Sequence, residues 1–153
     1  MASTGAMADY LVHMTLDAAM SDGTFTVPTN VYVMLSTTTI AAGDNATVAV
    51  EPSEDTPAWT NYDRVITTDA NWDAAASRQK NYAAAVDFGT AATAGTVPIT
   101  DWALVDAAGT GNSANMLWYG TTDGTINVQN GNPVSVTANN LDIKIATSLG
   151  TPA

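Results

Sequence analysis

The stretch Val31-Tyr32-Val33-Met34-Leu35 decides the fold class. Val31, Val33 and Leu35 recur at every second position, so an extended chain places them on one face. Pro28 stands just ahead of them, where a missing N–H costs a sheet little. The same period returns in Tyr82, Ala84, Val86 and Phe88, and in Leu141, Ile143 and Ile145, which alternate with Asp142 and Lys144. Ile99, Trp102, Leu104 and Val105 are dense enough in apolar surface for burial on both sides, and Met116-Leu117-Trp118-Tyr119 is a second such segment. Weaker candidates are Tyr62–Thr68, Thr125–Val128 and Val134–Val136.

Turn chemistry separates these segments. Asp123-Gly124 matches a tight hairpin, where positive φ favours glycine. Asn130-Gly131-Asn132-Pro133 is a stronger turn signal, and 109–113 is a longer exposed loop. About eight short strands with frequent turns predict an all-β fold, a single jelly-roll-like β-sandwich spanning residues 1–153. One helix precedes it. From Met7 to Met20 the residues Met7, Tyr10, Leu11, Met14 and Ala18 fall on one helical face, and Gly23 marks the stop. That helix is expected to pack on a sheet face or on a neighbouring subunit.

The 41–59 segment is the least regular. It holds Gly43-Asp44-Asn45, Pro52, Pro57 and the acids Glu51, Glu54 and Asp55, and it is expected to be a long surface loop. Trp59, beside Pro57, is the candidate exposed contact residue, and Glu51, Glu54 and Asp55 are the candidate partner or host contacts. Trp102 and Trp118 lie within apolar strands and are assigned to the core. Asn45-Ala46-Thr47 is a glycosylation-type sequon, which makes Asn45 a candidate modification site.

Composition excludes several functions. Fifteen acidic residues face four basic ones, for a formal net charge of −11. Phosphate contacts need a basic stripe, so nucleic-acid binding is disfavoured. No apolar run approaches the ~20 residues that span a bilayer, and the first residues do not form a secretory signal, so no membrane insertion is expected. There is no cysteine, hence no disulfide and no thiolate metal site. At low ionic strength this charge pushes the chain and its assemblies apart; at about 1 M salt the Debye length falls to ~3 Å and the repulsion largely vanishes. Such a surface suits a protein from a high-salt environment.

Little in the chain suggests catalysis. His13 is the only histidine, and no Gly-x-Ser-x-Gly motif exists for it to serve. Gly109-Thr110-Gly111 lacks the lysine and helix of a phosphate cradle. Glu51 with Glu54, or Asp101 with Asp106, could form a glycosidase pair, but in an Asp-rich chain solvated carboxylates are the better reading. The oxygen ligands of 51–55 lack EF-hand spacing. No enzymatic activity, cofactor or metal is expected.

The order of several short segments adds a resemblance. Val27-Pro28-Thr29-Asn30-Val31-Tyr32-Val33-Met34-Leu35-Ser36-Thr37 follows the helix, then Asn61-Tyr62-Asp63-Arg64-Val65, Trp72 and Val86-Asp87-Phe88. Ile99-Thr100-Asp101-Trp102-Ala103-Leu104-Val105 and Asn115-Met116-Leu117-Trp118-Tyr119-Gly120 come next, and Leu141-Asp142-Ile143-Lys144-Ile145 closes the series. Taken together, Asp9 to Ala146 resembles a family of short tailed-phage virion proteins labelled tail-fibre-like. The resemblance implies a β-sandwich in the particle and no known catalysis.

Resemblance and charge lead to one expectation: a structural virion protein of a tailed virus, a haloarchaeal one by its acidity. It would form a symmetric homo-oligomer, a trimer or pentamer, on the capsid surface as a decoration or turret subunit, and contribute to host attachment. The alternative is a tail, collar or baseplate component acting as a receptor- or glycan-binding module. Expected partners are other copies of itself, other virion proteins, and a host surface glycan or protein. The chain would be made in the host cytoplasm and end in the virion.

Overall fold

The structure is a computed structural model that describes residues 5–20, 23–26, 28–41, 43, 46, 49–76, 79–111 and 114–144. It is mostly antiparallel β-structure with one α-helix, as the periodicities predict. The elements are β1 (Gly5–Met7), α1 (Asp9–Met20), β2 (Val31–Ser36), β3 (Val65–Thr67), β4 (Gln79–Tyr82) and β5 (Val86–Thr90). Then follow β6 (Val97–Val105), β7 (Met116–Val128), β8 (Pro133–Val136) and β9 (Leu141–Lys144). A five-stranded sheet runs β1-β7-β6-β2-β3, and two ribbons, β4–β9 and β5–β8, supply the other strands.

The sheet has apolar residues on both faces, and each face has its own core. Toward the ribbons, Val33, Leu35, Trp102, Leu104 and Trp118 pack with Val86, Phe88, Val136 and Leu141. On the reverse face, Met34, Ala103 and Met116 pack under Ala8, Ile40, Ala46 and Ala49. Both faces of β2 and β6 are thus removed from water, which is why these strands are nearly continuous in apolar residues rather than cleanly alternating.

Four local expectations change. The helix begins at Asp9 rather than Met7, because Gly5–Met7 pairs with Trp118–Gly120 as a sheet edge. The Tyr82–Phe88 alternation is two strands, since Ala83 donates its N–H back to the Asn71 carbonyl (2.8 Å) between them. Asp123-Gly124 is no hairpin turn but part of an irregularity inside β7. The register moves from Asp101↔Thr121 to Ile99↔Ile126, leaving four residues of β7 opposite Thr100. Thr122 fills the gap by donating its hydroxyl toward the carbonyls of Thr100 and Gly124, both at 2.8 Å, and Gly124 takes φ +82°. At 129–133 the predicted turn is present, with Gly131 at φ +83° and Asn132 N–H bonded to the Gln129 carbonyl.

The fourth change concerns 41–59. Its described residues form no strand, but they are not a solvated insertion. Ala46 and Ala49 cover the reverse face of the sheet, and Glu51, Pro52 and Trp59 are buried. The segment is a packed strap, because its small and apolar residues remove a sheet face from water.

Candidate functional site

Three places in the fold can meet a partner or hold the parts that do. They are a buried charged clamp, an apolar groove beside α1, and a cluster of loops at one end of the strands.

The clamp joins Glu51 to Arg64. The Arg64 guanidinium donates from Nη2 to Glu51 Oε1 (2.6 Å) and from Nε to Oε2 (3.2 Å), and both side chains are fully buried. Arg64 Nη1 also donates to the Ala107 carbonyl (3.0 Å), and Gly111 N–H donates to Glu51 Oε1 (3.2 Å). The Tyr62 hydroxyl accepts from Leu35 N–H (2.8 Å) and hydrogen-bonds Glu51. The fork geometry and the extra partners satisfy nearly every polar atom of the pair, the condition under which a buried ion pair is tolerable. The strap, β2, the approach to β3 and the loop after β6 are thereby fixed to one another. Burial, followed by the nearby Glu51 charge, pushes the Tyr62 phenol well above its ordinary value.

That shift has a pH consequence. An unfolded tyrosine ionises near pH 10, whereas folded Tyr62 holds its proton to higher pH. Its stabilising contribution is complete below about pH 10 and is lost as the pH rises toward the folded value. Unfolding free energies measured from about pH 8 to 11 are expected to fall at the alkaline end, and Tyr62→Phe is expected to flatten part of that slope. An unchanged slope in the variant would remove Tyr62 from the explanation.

The groove lies among α1, the β4–β9 ribbon and the core-facing side of the sheet. It measures about 330 Å³ and is lined by Leu11, Val31, Trp72, Leu104, Trp118 and Ile143, with Asp69 and Lys80 also contributing. The indole N–H of Trp118 is buried and finds no acceptor among the described residues. Helix α1 itself has no fully buried residue. Leu11 packs against the core and Met14 and Ala18 are half-buried, so most of the predicted face turns inward, but Tyr10, expected on it, is exposed. A second row was not anticipated: Val12, Leu16 and Met20, spaced by four, run along the other side, with Leu16 50 % and Met20 84 % exposed.

The loop cluster brings together 57–61, 91–96 and 129–132. Trp59 pairs with Thr93 as a β-bridge, and its indole N–H donates to Asn61 Oδ1 (2.7 Å). Asn61 Oδ1 also accepts from Ala92 N–H (2.9 Å), while its Nδ2 donates to the Thr90 carbonyl (2.9 Å). Ala91 and residues 131–132 exchange backbone bonds, Ala91 N–H to Asn132 O and Gly131 N–H to Ala91 O.

The sequence-based site residues distribute unevenly over these features. Trp59, expected to be exposed, is 0 % exposed; its ring meets Tyr62 edge-on at 5.3 Å and lies 6.4 Å from Phe88. Glu51, also expected at the surface, is the buried partner of Arg64. Glu54 is exposed and Asp55 half-buried, and Glu54 Oε2 accepts from Glu51 N–H (3.2 Å). Asn45 lies outside the described residues. His13 is exposed on α1. Asp101 is buried and accepts from Ile40 N–H (3.1 Å), and Asp106 accepts twice from Asn115. Among the described residues no three His, Cys, Asp or Glu side chains cluster in a way that could hold a metal ion. None of the described helices is long and apolar enough to cross a membrane. Sequence reasoning missed Arg64 and Tyr62; the one local hint was a basic residue inside an otherwise strand-like segment.

The described residues thus form an all-β domain with one helix, a buried ion pair and an uncharged loop end. A family model described as Podophage GP4 fiber I protein gp80 matches residues 6–144, nearly the whole chain. The chain belongs to that family, and is thereby a structural or attachment component of a tailed virus particle that associates with other virion proteins. No curated protein matches it.

Proposed function

We propose that this chain is a non-enzymatic virion subunit that assembles as a symmetric homo-oligomer and contributes to host attachment. The observation that carries the reading is the outer row of α1, in which Leu16 and Met20 are exposed and Val12 is half-buried. A 12-residue helix is marginal in isolation and is normally held by packing, yet α1 buries no residue completely. A second copy laid along the outer row would cover it. The family description supports placement in the fibre or elsewhere on the tail, in place of the capsid-surface decoration or turret expected from the sequence alone.

Charge sets the conditions. With a formal net charge of −11, copies repel one another at low ionic strength, so assembly needs screening salt or a neutral interface. Only Asp9 and Asp17 are acidic on α1, which suits it to the second role. The acidity supports a high-salt host, a haloarchaeal one included. Mass in solution, measured from about 0.1 M to about 1 M salt, is expected to show a trimer or pentamer gaining population as screening completes. Leu16→Asp with Met20→Asp is expected to yield monomers without lowering the melting temperature. A stable monomer throughout the series would defeat the assembly reading.

A further inference from the structure

We infer that the loop end formed by 57–61, 91–96 and 129–132 is a binding surface for an uncharged polysaccharide; this rests on the attachment reading above. The first observation is charge. The three loops, Pro57-Ala-Trp-Thr-Asn61, Ala91-Ala-Thr-Ala-Gly-Thr96 and Gln129-Asn-Gly-Asn132, contain no charged residue in a chain of fifteen acids and four bases. The nearest acids in sequence, Asp55, Asp63 and Asp87, lie outside these three loop segments. Elsewhere the acidic surface opposes any anionic partner, and these loops offer no cation to attract one. Phosphate, sulfate and carboxylate ligands are disfavoured, and so is nucleic acid.

The second observation is a shallow depression of about 290 Å³ lined by Thr93, Ala94, Gly95, Thr96, Gln129 and Asn130. The floor is rigid. Asn130 Oδ1 accepts from Thr93 N–H (3.3 Å), and the Thr93 hydroxyl donates to the Gly95 carbonyl. Asn61 fixes the adjoining loops through the bonds described above, over the buried ring of Trp59. Preorganised loops lose less entropy when a ligand is bound.

The third observation is unused hydrogen-bonding capacity. The side chains of Thr96, Gln129 and Asn132 make no hydrogen bond among the described residues, and all three are exposed. Amides and hydroxyls present donors and acceptors together. A sugar hydroxyl is likewise both donor and acceptor, so the match is chemical as well as electrostatic. An apolar peptide finds no hydrophobic anchor there, and the aromatic ring that could have supplied one, Trp59, is buried.

The test uses the full chain over immobilised glucan, mannan and galactan, with alginate as the anionic comparator. Asn130→Asp is the key variant: it keeps the oxygen that accepts from Thr93 N–H while replacing the amide donor by a charge. The expected result is retention on at least one neutral polymer that does not weaken between about 0.1 M and about 1 M salt, because no charge is involved. Asn130→Asp and Gln129→Ala are each expected to weaken retention about tenfold or more, equivalent to at least ~1.4 kcal/mol, at unchanged melting temperature. No retention on any neutral polymer, retention on alginate alone, or retention indifferent to both variants would overturn the inference. Mass measured on the same samples separates the two failures. An oligomer without retention removes only the polysaccharide surface, whereas a monomer removes the assembly reading.

Discussion

Replacing Arg64 by alanine is expected to cost about 3–5 kcal/mol of folding stability, because it leaves the Glu51 carboxylate buried and uncompensated. Both side chains are fully out of solvent, and three guanidinium nitrogens are bonded, two to Glu51 and one to the Ala107 carbonyl. Domains of this size are stable by roughly 5–15 kcal/mol, so the loss is a large share of the total. Glu51→Ala should cost a similar amount by stranding the guanidinium. The double variant Glu51→Leu, Arg64→Met should cost much less than the sum of the two, since apolar replacements of similar size leave no buried charge. Urea midpoints for the four proteins check this, and an Arg64→Ala midpoint close to that of the parent would show that the clamp contributes little.

Trp59→Ala is expected to cost a comparable ~3–5 kcal/mol, the usual range for truncating a fully buried large aromatic. The ring fills space between Tyr62 and Phe88, which themselves stack at 6.0 Å, and its N–H helps to hold Asn61. Truncation should therefore also loosen 90–93, where Asn61 binds the backbone, and amide hydrogen exchange of Ala92 should speed up more than that of β6. Had Trp59 been a surface contact, the substitution would leave stability within about 0.5 kcal/mol of the parent.

The different fates of these residues show what a single sequence encodes locally. Strand β2 was legible from its period-two alternation and β6 from its apolar density, both local properties, and the 129–133 turn because glycine and asparagine there meet a local backbone demand. The inward side of α1 was legible in Leu11, Met14 and Ala18 for the same reason, though not in Tyr10. What escaped depends on distant partners. Glu51 and Arg64 are thirteen positions apart and look like ordinary polar residues until the fold buries both. Trp59 sits among prolines and acids, which suggests a loop, yet Tyr62 and Phe88 converge on it. Asp123-Gly124 carries the local signature of a hairpin, but Thr122 bonding to β6 holds it as an irregularity inside β7 rather than a turn between strands. The loop end could not be seen as a surface, because its three segments meet only in the folded chain.

This domain is expected to act by packing against other virion subunits through α1. A cryo-EM map of the intact particle tests it most directly. Repeated copies of the chain are expected on the tail, with Leu16 and Met20 buried against a neighbouring copy. A particle in which α1 faces solvent in every copy would contradict it.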